Sequence, residues 1–219
     1  MSIVAKTREV VRVLGEAVSV IPALGYKLAE DDDLVSLGSV FEDSVTRFPD
    51  NIMLIFEDQQ WTYSQFNDEV NQLARVLVSK GISRGDTVAL FMENRAEYAL
   101  SMLALLKLGV SGSLINNSLK GAALVHCLKA TDARGCIVGA ECSEGFAEVL
   151  DELNWTDGQP LVWFADGEGD EVPAWATDAR TEMSSMVQTN LEVTRSIKAG
   201  ETALYIFTSG TTGLPKAAV

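Results

Sequence analysis

The sequence predicts an α/β protein with a mixed, largely parallel sheet flanked by helices. Hydrophobic residues make up 47% of its 219 residues and charged residues 22%, enough apolar side chain to fill a core. From Asp86 onward, short apolar runs alternate with helical patterns of about ten to fifteen residues. That order is the signature of βαβ units and a parallel sheet. No internal repeat competes with it.

The elements follow in order. "MSIVAKTREVVRVLGEAVSVIPALGYKL" opens with Lys6, Arg8 and Arg12 and turns apolar from Ala17 to Tyr26. A bilayer span needs about 20 apolar residues. Glu16 and the missing small-residue cleavage site argue against a secretory signal. Val10, Val13, Leu14, Ala17 and Ile21 share one helical face, so two readings stand: a helix packed on its own domain, or peripheral membrane contact through residues 1–26. The acidic run Glu30–Asp33 reads as a solvated hinge or linker. "LGSVFEDSVTRFPDN" is an amphipathic helix stopped by Pro49. Strands are expected at Ile52–Phe56 and Trp61–Tyr63, turned by Glu57 to Gln60. A helix follows with Ser64 as N-cap, Gly81 as C-cap, and Phe66, Val70, Leu73, Val76 and Leu77 on one face.

"DTVALFM", "VSGSLIN", "RGCIVGA" and "PLVWFA" are then strands. Between the first two lies "NRAEYALSMLALLKLG", a helix apolar almost all round and so buried. "LKGAALVHCLKATDA" and Glu144–Leu153 supply the next two helices. "DGEGDEVPAWATDARTEMSSM" breaks the rhythm and reads as an irregular surface loop. Its alternating Asp166, Glu168 and Asp170 suggest calcium, but an EF-hand needs Gly sixth and Glu twelfth, where Glu171 and Thr177 stand. "GETALYIFTSG" returns to the sheet at Ala203.

Composition removes several function classes. The net charge of −14, with 17 scattered Lys and Arg, opposes nucleic-acid binding, which needs clustered cations. One histidine and three cysteines without a CxxC pair leave little material for zinc or Cys/His catalysis. His126 and Cys127 are adjacent, so in a helix they point about 100° apart and read as structural. Unpatterned cysteines suit a reducing, cytoplasmic compartment rather than a secreted one.

The chemistry concentrates at "YIFTSGTTGLPKAAV", Tyr205–Val219. Phosphate oxygens only accept hydrogen bonds, so a phosphate site needs convergent donors and a close backbone. Thr208, Ser209, Thr211 and Thr212 supply four hydroxyls within five positions. Gly210 and Gly213 let main-chain N–H groups turn inward, and Lys216 adds a charge beyond the stiff Pro215. The spacing is neither GxxxxGK[ST] nor GxGxxG. On spacing alone, a Ser/Thr/Gly-rich surface turn is the alternative.

The nine residues Thr208–Lys216 resemble the phosphate signature of the adenylate-forming superfamily of acyl-CoA synthetases, luciferases and adenylation domains. "WTYSQFNDEVNQLARVL" resembles an early helix of that family. The stretch from "FMENRAEY" to "IVGAE", with the ending "LPKAAV", resembles long- and very-long-chain fatty acyl-CoA synthetases of the fatty acid transport protein type. The resemblance covers Leu37–Val219 and implies an incomplete adenylation domain over residues 34–219. Residues 1–33 then form an N-terminal helix and acidic linker.

It further implies that ATP and a long- or very-long-chain fatty carboxylate give an acyl-adenylate and pyrophosphate, and that coenzyme A then displaces AMP. Ser209, Gly210, Thr211, Thr212, Gly213 and Lys216 would hold the β- and γ-phosphates, with Thr208 near Mg²⁺. No residue of the chain matches a further catalytic group of that family. The adenine pocket, acidic Mg²⁺ ligand, acyl tunnel, most of the coenzyme A site and C-terminal lid lie downstream of this motif in that family. The expectation is therefore an N-terminal portion with weak or no ATP binding, no turnover alone, and an open edge at its final strand. Another carboxylic acid, or a non-catalytic membrane-docking remnant, is the alternative.

Overall fold

The computed structural model of the protein describes residues 28–153, 155, 159–167, 169–208 and 214–219; the expected N-terminal helix lies outside them. In chain order the elements are α1 (Leu37–Arg47), β1 (Ile52–Phe56), β2 (Gln59–Thr62), α2 (Tyr63–Ser79), β3 (Thr87–Phe91), α3 (Ala96–Leu108), β4 (Ser111–Leu114) and α4 (Gly121–Ala130). Then come β5 (Gly135–Gly139), α5 (Ser143–Leu150), β6 (Leu161–Phe164), β7 (Thr177–Asp178), α6 (Ala179–Met183), β8 (Leu204–Thr208) and β9 (Lys216–Ala218). β1 and β2 form an antiparallel hairpin. The other seven strands form one sheet in the order β7-β6-β5-β3-β4-β8-β9. Every pairing in it is parallel except β8 with β9.

The near-continuous apolar runs of β3, β5 and β6 follow from burial on both faces. Side chains alternate across a strand. Val88, Leu90, Ile137, Val162 and Phe164 therefore join a core with α1, α2, α3 and α6. Ala89, Phe91, Cys136, Val138, Leu161 and Trp163 join a second core with α4 and α5. Helix α3 is buried nearly all round, as its sequence predicts.

Several boundaries differ from expectation. Helix α2 is capped by Thr62, not Ser64: Thr62 Oγ1 accepts from Gln65 N at 3.2 Å and Gln65 Oε1 accepts from Thr62 N at 2.9 Å. The T-x-x-Q spacing satisfies two donors reciprocally, which Ser64 cannot match. Lys80 is the C-cap of α2, with Gly81 one residue beyond at φ 82°. The expected Glu144–Leu153 helix divides into α5 and a 3-10 turn over Asp151–Leu153. The stretch read as irregular holds β7 and α6, the latter started by Asp178 Oδ1 accepting from Thr181 N at 2.6 Å. β8 is not the open edge. The chain returns as β9, pairing Ile206 with Ala218 and Thr208 with Lys216.

Two polar features brace the frame. Lys107, fully buried, pairs with Glu42 at 2.8 Å and donates to Asn67 Oδ1 at 2.9 Å and Asn190 Oδ1 at 3.0 Å. Burial pushes its pKa below the ordinary lysine value, against the pull of Glu42. The acidic run is bound as a turn: Asp31 and Asp33 carbonyls accept from Gly200 N at 3.0 Å and Ala199 N at 2.9 Å, and Lys198 pairs with Asp32 at 2.7 Å.

Candidate functional site

The carboxyl ends of parallel strands are where open α/β sheets form ligand crevices, and the sequence-predicted loop leaves from that edge. β8 runs parallel to β4, with Gly112 opposite Leu204 and Leu114 opposite Ile206, so Thr208 emerges at the carboxyl end. Thr208 and Lys216 then face each other as the first pair of the β8–β9 ladder. Thr208 Oγ1 donates to the Lys216 carbonyl at 3.4 Å, a long contact. Lys216 is exposed. Ser209, Gly210, Thr211, Thr212 and Gly213 lie outside the described residues. The strand pairing thus brings together the two ends of the predicted site, a hydroxyl and a cation.

His126 joins this end of the molecule. From α4 its Nε2 lies 2.9 Å from the carbonyl oxygen of Pro215. A carbonyl only accepts, so Nε2 carries the proton and donates. Sequence reading assigned His126 a structural place and could not find this partner, which lies 89 positions away.

Two depressions adjoin along the same edge, sharing Glu93 and Asn94. One, of about 300 Å³, lies beside β8 and is lined by Asn94, Tyr98, Asn116, Asn117, Ile206 and Phe207 among others. The other, of about 490 Å³, is lined by Glu57, Trp61, Arg95, Glu97, Glu141 and Asp166 among others. Arg95 pairs with Glu97 at 2.8 Å, Asp166 at 3.0 Å and Glu141 at 3.4 Å. Burial works against its charge, but the carboxylates outweigh that and hold its pKa above the ordinary arginine value. Burial would likewise raise Glu97, yet Arg95 and Arg180 bring it below the usual carboxylate range. This cluster is a satisfied ion-pair network. Its sequence signal was a charge just after each buried run: Glu93 after β3, Glu141 after β5 and Asp166 after β6.

The cysteines offer no nucleophile. All three are buried and free. Burial raises each thiol pKa, and at Cys142 burial together with nearby Glu141 and Glu93 pushes it up to about 12. Among the described residues no group of three or more His, Cys, Asp or Glu could hold a metal ion, and no helix is long and apolar enough to cross a membrane.

A largely parallel sheet thus lies between two helical layers, and the hydroxyl- and glycine-rich stretch follows β8 at the sheet's carboxyl edge, an architecture of the α/β class. Residues 41–219 match the model of the AMP-binding enzyme family, and the chain belongs to that family. The medium/long-chain-fatty-acid–CoA ligase FadD6 of Mycobacterium tuberculosis is 34% identical over 192 residues, 88% of this chain and 30% of that protein. Long-chain fatty acid transport protein 6 of Mus musculus is 33% identical over 199 residues, 89% of this chain and 30% of that protein. The chain thus spans about 30% of the length of these relatives.

Among solved structures, the anthranilate CoA ligase AuaEII with anthranoyl-AMP aligns at TM-score 0.71 and 24% identity, covering 84% of this chain and 34% of that one. The inhibitor-bound N-terminal domain of FACL13 from Mycobacterium tuberculosis aligns at TM-score 0.71 and 24% identity, over 84% of this chain and 44% of that one. At that identity the likeness establishes the fold.

Proposed function

We propose that the chain is the phosphate-binding part of an ATP-dependent fatty acid–CoA ligase. The observation that carries this is the Thr208–Lys216 hairpin at the carboxyl edge of the sheet, in an AMP-binding family chain whose relatives include a fatty acid–CoA ligase. In the reaction a fatty carboxylate oxygen attacks the α-phosphorus of ATP and pyrophosphate leaves. The thiolate of coenzyme A then attacks the acyl carbon, AMP leaves, and the thioester forms.

The carboxylate is a poor nucleophile toward an anionic triphosphate, so the chain's task is to position phosphates and offset their charge. Ser209–Gly213 would donate to the β- and γ-phosphates, and Lys216 would set a cation beside them. The Thr208 hydroxyl is a hard oxygen donor of the kind that suits Mg²⁺, which would neutralise phosphate charge. Long- or very-long-chain acids are the proposed substrates, with coenzyme A as acceptor. Three unpaired buried thiols support a reducing, cytoplasmic setting.

The test is acyl-CoA formation by the gene product that contains these residues, with palmitate, a very-long-chain acid, benzoate and an amino acid offered separately. Preference for the fatty acids supports the reading; preference for benzoate or the amino acid moves it to another acid. Peripheral membrane contact through residues 1–26 is a separate proposal, resting on the apolar face of Val10, Val13, Leu14, Ala17 and Ile21 beside Lys6, Arg8 and Arg12. Co-sedimentation of residues 1–30 with anionic liposomes decides between it and packing on the domain.

A further inference from the structure

We propose that His126 is a positioning residue for Lys216, fixing the strand that carries the lysine and thereby its approach to phosphate. The inference rests on the ligase reading above. β9 is three residues long, fully exposed, and paired in the sheet with β8 alone. So short an edge strand holds its place weakly by its own ladder. Pro215, immediately before it, has no N–H, so its carbonyl is the residue's one backbone group available for hydrogen bonding. His126 Nε2 takes that carbonyl at 2.9 Å. The Thr208 hydroxyl reaches the next carbonyl only at 3.4 Å, long for an O–H···O bond.

The imidazole projects from a firm platform. Leu124, Cys127 and Leu128 of α4 are no more than 1% exposed and sit in one core with Phe91, Cys136 and Phe146. Lys216 has a flexible four-carbon stem, so its charge is only as well placed as its Cα. Fixing Pro215 from a buried helix limits the arc that the ammonium sweeps. The contact requires a proton on Nε2, since the Pro215 carbonyl only accepts.

His126→Met removes the donor at similar length, and His126→Gln keeps an N–H there. Two measurements are made on each. In amide hydrogen exchange of the gene product that contains these residues, His126→Met should speed exchange over residues 214–219 about five- to tenfold, the scale of one neutral hydrogen bond. β3, β5 and β6 should stay unchanged, and His126→Gln should stay near the parent. In acyl-CoA formation by the gene product, His126→Met should raise KM for Mg·ATP about five- to tenfold with kcat within about twofold, and His126→Gln should restore it.

Unchanged exchange over residues 214–219 would overturn the anchoring. Faster exchange with an unmoved KM would overturn the positioning role while leaving the ligase reading intact. A parent protein inactive with every acid would remove the ligase reading and the positioning role together.

Discussion

Gly38 lies where α1 meets α3, and a Cβ there would stand 2.8 Å from the Leu106 carbonyl oxygen and 2.9 Å from Lys107 Cα. Both neighbours are backbone and cannot swing away, so Gly38→Ala should cost about 1–3 kcal/mol in chemical denaturation. Lys107 tests the same crossing by charge. Lys107→Met leaves Glu42 buried with Arg195 as its remaining ion partner, 3.0 Å away, and should cost about 3 kcal/mol or more. Lys107→Met combined with Glu42→Met should be less unstable than Lys107→Met alone. The thiols test burial directly. With pKa values raised and side chains enclosed, Cys127, Cys136 and Cys142 should resist a thiol reagent at neutral pH until the chain is unfolded. Rapid labelling of the native chain would contradict the packing described.

Between elements, ion pairs tie the amino ends of the strands. Glu201, just before β8, pairs with Arg84, just before β3, and that bond lowers its pKa below the ordinary 4.5. At Asp86 burial alone would raise the pKa. The Ser83 N–H and the Arg134 guanidinium outweigh it and bring the value below 3.8. A carboxylate with a depressed folded pKa contributes stability that is fully present above its unfolded value and lost as pH falls through the folded one. Melting temperature should therefore hold above about pH 5 and drop below about pH 4. Glu201→Gln should shallow that drop, and an identical acid profile in the variant would count against the pair. Both groups are near solvent, so added salt should weaken the effect.

The strands were legible because burial on both faces turns β3, β5 and β6 into unbroken apolar runs, a one-dimensional signal. α3 was legible for the same reason. Features that depend on distant partners were hidden. Lys107 reads as an ordinary charged residue near a helix end until Glu42 and Asn190 are brought around it. β9 is too short and plain to announce a strand, and its pairing with β8 is visible only in the fold. Thr62 is hidden as a cap because Ser64 offers the same hydroxyl in sequence, and only the reciprocal bonds to Gln65 set Thr62 apart.

At the scale of the whole molecule, the sheet does one thing for function: it aligns the carboxyl ends of β3, β4 and β8 and sends the predicted phosphate loop out from the last of them. The expected loop residues were legible from sequence as a donor-rich run. Their setting was not, because His126, Asn94, Asn116 and Asn117 reach the edge only through the fold. The most direct measurement of phosphate handling at Lys216 is ATP–pyrophosphate exchange by the gene product containing these residues, with and without a long-chain fatty acid. Exchange should require the fatty acid and fall at least about tenfold in Lys216→Ala, the scale of one charge-assisted contact to phosphate. Exchange that ignores the fatty acid, or is unaffected by Lys216→Ala, would contradict it.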